Sequence, residues 1–372
     1  MAITGAPPRR RRLDPGVLHL PVDKMRAGYY SDSYFNRARE ILDRDGHHPR
    51  VLMQVFNKKP AVLCGIDEAI AILKLCSGRQ RPDHSWEDGW LKLDVRALYD
   101  GDRIEPWEPV LTIEGDYALF AHLETDYLGV LTRRTKVATN TRAVVEAASG
   151  KTVLFFPARF DHHLVQTGDG YAAYVSGALG VSTDAQAEWW GSKGVGTVPH
   201  ALIAAYGGDT VLATEKFAQY MDPAIQLISL VDFDNDCVGT SLAVARALKR
   251  RLWGVRLDTS ETLVDKSLWD EMGTFSPTGV CPELVLNVRR ALDHEGFEWV
   301  KIIVSGGFNP EKIQRFETRR IPVDAYAVGS ALFEGKFDFT ADIALAQRDG
   351  VMTDCHKVGR PYRPNPRLDK VA

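Results

Sequence analysis

The sequence predicts an α/β protein in which a run of parallel strand-and-helix units follows a smaller, mixed α/β domain. Two observations carry this. Beyond Gly150, short apolar runs each end in a polar or glycine-bearing turn and give way to a helical pattern: Val153-Leu-Phe-Phe, Gln226-Leu-Ile-Ser-Leu-Val, Trp253-Gly-Val-Arg-Leu, Trp299-Val-Lys-Ile-Ile-Val and Ala325-Tyr-Ala-Val. Before Gly150, strand and helix patterns alternate irregularly. The 372 residues, 45% of them hydrophobic, exceed one ordinary compact core and leave room for two domains or a barrel with an appendage. An open doubly wound sheet and a closed barrel both produce such a βα series, so periodicity alone does not choose between them.

Taken in order, residues 9–12 form an arginine run with no hydrophobic segment after it, which reads as a solvated basic tail rather than a secretory signal or a nucleic-acid arm. Ser33 to Leu42 spaces its aromatic and aliphatic residues helically, with Ser31 or Asp32 as N-cap. Val51 to Phe56 reads as a strand and Gly65 to Cys76 as an amphipathic helix. Glu108 to Ala121 reads as two strands joined by a tight turn at Gly115-Asp116, and His122 to Ser149 as a long helix that Gly150 ends in a left-handed cap.

Charge and cysteine content narrow the function. Charged residues make up 26% and nearly cancel, to a formal −3, so no global field favours nucleic acid or a membrane surface. A small-molecule partner is expected. Cys64, Cys76, Cys237, Cys281 and Cys355 form no CxxC pair and no zinc spacing, which fits a reducing, cytoplasmic setting. No apolar run approaches the roughly 18–20 residues of a membrane span.

The sharpest local signal is the pair of late turns. Ile302-Ile-Val runs into Ser305-Gly306-Gly307, and Tyr326-Ala-Val runs into Gly329-Ser330. Glycines let a phosphate approach the backbone, and the next helix aims free N–H groups at it. In (β/α) barrels such a seat recurs after the last two strands, though glycine turns are also ordinary punctuation. Two earlier strands end in acid, Val231-Asp232-Phe233-Asp234 and Val255-Arg256-Leu257-Asp258, and strand alternation places Asp232 with Asp234 and Arg256 with Asp258. Such carboxylates suit sugar hydroxyls or a Mg²⁺ ion carrying substrate phosphates; helix capping is the plainer alternative. His200 stands in the glycine-flanked Gly194-Val-Gly-Thr-Val-Pro-His, either as a catalyst or as a packed histidine. Arg159 follows the first strand of the series and reads as a receiver of an anionic group or as a surface arginine.

These motifs stand together in one order: Ser31-Asp-Ser-Tyr-Phe, Thr139 within Ala138-Thr-Asn, Val195-Gly-Thr-Val-Pro-His-Ala-Leu, Arg256-Leu-Asp-Thr, Val304-Ser-Gly-Gly and Val328-Gly-Ser. As a set they resemble the nicotinate phosphoribosyltransferases, type II phosphoribosyltransferases, in their compact archaeal-type branch. The resemblance implies an irregular (β/α) barrel preceded by a smaller mixed α/β domain that includes a barrel-like sheet. The implied layout is a flexible basic tail (1–27), an N-terminal domain (28–150), a phosphate-binding barrel (151–340) and a C-terminal extension (341–372) packing back on the N-terminal domain. It implies formation of nicotinate mononucleotide and pyrophosphate from nicotinate and phosphoribosyl pyrophosphate in NAD biosynthesis, with Mg²⁺ and with ATP as a further co-substrate, in a homodimer or higher homo-oligomer with shared sites.

By the match of motifs, Tyr34 is similar to the tyrosine that stacks on the pyridine ring, His200 to the histidine phosphorylated in ATP-coupled members, and Asp258 to the catalytic acid on the substrate side. Asp232 is similar to the acid on the ribose hydroxyls. Thr139, Arg159, Thr197 and Arg256 complete the expected substrate-binding set, and of the strand-end carboxylates Asp234 is the one expected to face the metal. Ser305, Gly306, Gly307, Gly329 and Ser330 match the 5′-phosphate site. Where the family commonly has an arginine pair after the first barrel strand, this chain has Arg159 followed by Phe160. It also lacks the C-terminal cysteine cluster of some relatives, so no structural zinc is expected. Quinolinate or another base as acceptor, and a non-catalytic phosphate-binding barrel, are the rival readings.

Overall fold

The computed structural model describes residues 12–371. The chain divides into two compact units, one made of the residues up to Thr139 with those from Gly335 onward, the other of Asn140–Glu334. The principal strands are β1 (Arg50–Asn57), β2 (Asp94–Ala97), β3 (Pro109–Asp116), β4 (Thr152–Phe155), β5 (Gly180–Val181), β6 (Leu227–Leu230), β7 (Leu252–Leu257), β8 (Lys301–Val304), β9 (Ala325–Val328), β10 (Phe339–Arg348), β11 (Val351–Asp354) and β12 (Asp369–Lys370).

In the first unit an antiparallel sheet runs β11-β10-β1-β3-β2-β12. On β1 the side chains of Val51, Met53 and Val55 enter a core shared with the helix Ile66–Cys76, which is buried over nearly its whole length. The intervening Gln54 holds the C-terminal segment, donating to the Pro361 carbonyl (3.0 Å) and accepting from the Arg363 N–H (3.1 Å). Both faces of β1 are therefore covered, which explains its unbroken burial.

Two local expectations are corrected in this unit. The basic tail does not extend to residue 27: Arg12 pairs with Asp67 (2.9 Å), donates to the Leu98 carbonyl and lies 3.8 Å from the Tyr99 ring centroid, while Leu18 and Met25 are buried. Arg9 to Arg11 lie outside the described residues. The segment Glu108 to Ala121 is one strand followed by short helical turns, not a hairpin; Gly115 pairs with Val51 within β3. Its glycine serves close packing, since a Cβ there would sit 2.5 Å from a Leu93 methyl. The long helix spans Glu124–Ala147, and Gly150 has the expected left-handed φ of 88°.

The second unit carries the parallel sheet β6-β7-β8-β9-β4-β5. Its edges are bridged by one extended segment: Val195 N–H donates to the Val181 carbonyl (2.7 Å) and Val198 N–H to the Ile228 carbonyl (3.1 Å). The sheet thus curls into an irregular barrel, with Ile228, Ile303, Ala325 and Ala327 on one face and helices such as Cys237–Leu248, Pro282–His294 and Pro310–Thr318 between its strands. No helix among the described residues is long and apolar enough to cross a membrane.

Glu124, at the start of the long helix, gives the first unit a pH signature. Burial, with Asp342 and Asp32 nearby, pushes its carboxyl up from 4.5 to about 8. The folded state then holds a proton that the unfolded chain loses, so this contribution to stability declines as pH rises from about 4.5 to about 8. Glu124→Gln keeps the neutral shape without the titration. Its stability relative to wild type is expected to increase across that window by on the order of a few kcal/mol, read from urea unfolding at a series of pH values. Parallel pH profiles for the two proteins overturn this account.

Candidate active site

At the C-terminal ends of β7 and β8 the chain leaves its strands through Asp258 and Ser305. Arg256, the penultimate residue of β7, turns its guanidinium toward both. Its Nε donates to Ser305 Oγ (2.8 Å), Nη2 to Asp258 Oδ2 (3.0 Å) and Nη1 to Thr197 Oγ1 (3.3 Å). Ser305 Oγ in turn donates to Asp258 Oδ1 (2.6 Å). The circuit is closed, ties three separate segments together and leaves Arg256 and Asp258 only 17% and 19% exposed. Below it the guanidinium carbon lies 5.8 Å from the Phe156 ring centroid.

A second pair adjoins the first. His200 Nε2 lies 3.0 Å and 3.1 Å from the two oxygens of Asp232, a carboxylate 7% exposed, while the histidine is 46% exposed. Burial raises the Asp232 carboxyl, the nearby His200 lowers it and the Asp258 charge raises it, which places the two acids within electrostatic reach of each other. His200 opens the short helix His200–Ala205, and Thr197 lies in the segment that bridges the barrel edges. The capping alternative for Asp232 does not hold, because Asp236 caps the helix Cys237–Leu248 by accepting from Gly239 N–H (2.9 Å).

The glycine turns complete the rim. Gly306 and Gly307 have φ of 83° and 61°, the left-handed region that favours glycine. A Cβ on Gly306 would stand 3.5 Å from Asp258 Oδ1, and one on Gly307 would collide with the Glu261 carboxylate. After β9, Gly329 and Ser330 open a helical turn, Ser330–Phe333. The Phe160 ring packs against Gly329, where an added Cβ would approach it to 2.7 Å. Arg159, exposed in the loop after β4, lies 5.6 Å from the same ring.

Some expected residues take other places. β6 ends at Leu230, so strand alternation does not carry through to Asp232 and Asp234; Asp232 turns to His200, and Asp234 is exposed in a turn. Among the described residues no group of three or more His, Cys, Asp or Glu side chains is gathered as a metal cage. Thr139 belongs to the first unit, where its hydroxyl accepts the Val62 N–H at 3.0 Å. Tyr34 also belongs to that unit and is 60% exposed on the helix Ser33–Asp45. Asp32 is the residue before that helix, yet instead of capping it its carboxylate accepts from Tyr34 Oη (3.2 Å) and Thr125 Oγ1 (3.1 Å).

The sequence reading missed three participants. Lys312 Nζ donates to the Gly306 carbonyl (3.1 Å), and Glu261 fills the space beside Gly307. Asn140 donates to the carbonyls of Leu332 (3.1 Å) and Glu334 (2.8 Å), at the end of the turn that Gly329 begins. Lys312, in the first turn of the helix after Ser305-Gly-Gly, carried a usable positional signal, as did Glu261, three residues after Asp258; Asn140 follows Thr139 in sequence, but its hold on the turn after β9 is a tertiary contact.

Residues 32–135 match the family model described as quinolinate phosphoribosyl transferase, N-terminal domain. The solved structure of nicotinate-nucleotide pyrophosphorylase from Pyrococcus furiosus is 32% identical, with a TM-score of 0.77 over 95% of this chain and 85% of its own. A nicotinate phosphoribosyltransferase of Mycobacterium tuberculosis is 30% identical over 268 residues, 69% of this chain and 54% of that protein. The chain thus spans about half the length of the curated relatives it matches. Human nicotinic acid phosphoribosyltransferase, at 17% identity and a TM-score of 0.60 over 85% of this chain and 75% of its own, shares the fold. Since the similarity to the Pyrococcus furiosus protein, at 32% identity, covers 95% of this chain and the Mycobacterium tuberculosis enzyme is 30% identical over 69% of it, the chain belongs to the nicotinate phosphoribosyltransferase family of type II phosphoribosyltransferases.

Proposed function

We propose that this protein is a nicotinate phosphoribosyltransferase of the cytoplasm, forming nicotinate mononucleotide and pyrophosphate from nicotinate and phosphoribosyl pyrophosphate as a step in NAD biosynthesis. The observation that carries the reading is the Arg256–Asp258–Ser305 circuit, because it joins a cation and a carboxylate to the first residue of a glycine turn suited to phosphate. In the reaction the bond from the anomeric carbon to pyrophosphate breaks as the pyridine nitrogen forms its bond from the opposite face. Positive charge develops on the sugar, so the protein's work is positioning and charge stabilisation. Ser305 to Gly307 and Gly329 to Ser330 anchor the 5′-phosphate, Asp232 and Asp258 face the sugar, and Arg256 has further N–H groups to offer an anion.

A bound Mg²⁺ would neutralise charge on the leaving pyrophosphate. The acids fit a hydrated ion that arrives on substrate phosphates and needs only one or two protein carboxylates, with exposed Asp234 as an available donor. The quinolinate reading draws support from the family model that matches residues 32–135. Two ring carboxylates, however, call for more cations than exposed Arg159 and an Arg256 already paired with Asp258. In a panel of bases with phosphoribosyl pyrophosphate and Mg²⁺, nicotinate is expected to turn over and quinolinate not. Ser305→Ala removes the hydroxyl that accepts from Arg256 and donates to Asp258, and should raise KM for phosphoribosyl pyrophosphate roughly tenfold or more. Preference for quinolinate, or ligand-induced stabilisation with no turnover of any base, overturns the assignment.

ATP coupling is proposed to pass through His200. A neutral imidazole that donates from Nε2 to Asp232 keeps its lone pair on Nδ1, the nucleophilic nitrogen for a phosphoryl group. His200→Ala is expected to abolish ATP hydrolysis while slow, ATP-independent transfer persists. ADP release and mononucleotide formation measured in parallel test this; wild-type hydrolysis in the variant removes His200 as acceptor.

Assembly follows from the first unit. The helix Ser33–Asp45 buries none of its residues, and Tyr29, Tyr30, Tyr34 and Ile41 all stand exposed. This face is proposed to meet a second copy, with Tyr34 stacking on the base in the neighbour's site. Tyr34→Ala and Asp258→Ala subunits, each inactive alone, should recover activity on mixing and exchange. A fully active monomer excludes shared sites.

A further inference from the structure

The turn after β9 is held from three sides within the second unit. The Phe160 ring abuts Gly329 at its start, the Phe333 ring meets Phe155 edge-on at 6.2 Å, and Asn140 grips its end. Asn140 is the polar hold. Its Nδ2 gives one N–H to the Leu332 carbonyl (3.1 Å) and the other to the Glu334 carbonyl (2.8 Å). Two carbonyls facing one amide nitrogen fix the carboxamide orientation, because the flipped amide would set oxygen against oxygen. Between the ends of the turn, Leu332 N–H donates to the Gly329 carbonyl (3.0 Å), so a shift at Leu332 is transmitted to Gly329.

We propose that Asn140 is a positioning residue for the phosphate-binding turn: by clamping Leu332 and Glu334 it fixes where the Gly329 and Ser330 backbone N–H groups point. The residue lies in the helix Glu124–Ala147, remote in sequence from the turn and outside the reacting groups. Its effect is confined to the donor substrate. This inference rests on the reading of Gly329 and Ser330 as part of the 5′-phosphate seat. A flexible turn must be ordered by the ligand itself, which costs affinity; a clamped turn has already lost that freedom.

Asn140→Asp is nearly isosteric, removes both donors and sets a carboxylate against two carbonyls. Asn140→Ser removes the double clamp without adding charge, and carries the test if the aspartate variant does not fold. Ribose 5-phosphate binding by calorimetry should weaken about 5- to 10-fold in Asn140→Ser and further in Asn140→Asp. KM for phosphoribosyl pyrophosphate should rise in step, with KM for nicotinate and kcat within about twofold of wild type. Asn140→Gln, which keeps the NH₂ group, should recover part of the loss. Gly306→Val, which obstructs the other phosphate turn, serves as the reference. If it weakens ribose 5-phosphate and the Asn140 variants do not, Asn140 has no positioning role while the seat stands. If neither variant class changes ribose 5-phosphate binding, the seat assignment and the inference fall together. Equal losses in both substrates and in kcat mark a general structural role and overturn the proposal as well.

Discussion

Arg256 is the residue on which the geometry of the second unit's rim depends. A guanidinium that is only 17% exposed has given up much of its hydration, and Asp258, Ser305 and Thr197 each accept one of its N–H groups in place of water. Removing one partner of such a pair leaves the other desolvated and unpaired, at a cost of about 3–5 kcal/mol for fully buried cases and less here, where some solvent reaches both groups. Because the partners come from the end of β7, the end of β8 and the segment that bridges the barrel edges, one side chain sets the spacing of three separately folded pieces. Rigid placement of this kind is what a reaction with little covalent chemistry for the protein requires.

Much of this was legible in the sequence. Apolar runs identified β4, β6, β7, β8 and β9 to within a residue or two: β6 and β9 are buried along their whole length, and the partly buried positions of β4 and β7 include apolar side chains, Leu154 and Trp253. The two-residue spacing of Arg256 and Asp258 correctly placed them on one side, because Arg256 is still inside the strand. The same argument did not transfer to Asp232 and Asp234, where the strand stops at Leu230 and the chain turns. Composition could not show that residues from Arg12 onward fold onto the first unit, because a basic tail and a buried arginine clamp differ only in a distant partner, Asp67. Gly115 was read as a turn for the same kind of reason: its need is steric, set by Leu93 on a neighbouring segment.

The pairing of His200 with Asp232 was likewise not readable from spacing, although both residues were singled out separately. Its consequence is chemical. A carboxylate on one imidazole nitrogen favours the tautomer with its proton there and leaves the lone pair on the other, a choice a histidine without such a partner does not make. Asp232 is itself poised between His200, which favours its ionised form, and burial with Asp258, which disfavour it.

Phe160 gives the site its particular character. Its ring lies on Gly329, so an aromatic side chain buttresses the turn after β9 from the loop after β4, and Arg159 stands beside it in that loop. Under the proposed reaction this divides the labour of anion binding. Phosphate is met by backbone turns stiffened by Phe160 and Asn140, whereas the ring carboxylate of the base must be read by Arg159 or by the free N–H groups of Arg256. Arg159 is exposed and screened by solvent, and Arg256 already carries Asp258 as counter-charge. An acceptor with a single carboxylate matches that supply of charge.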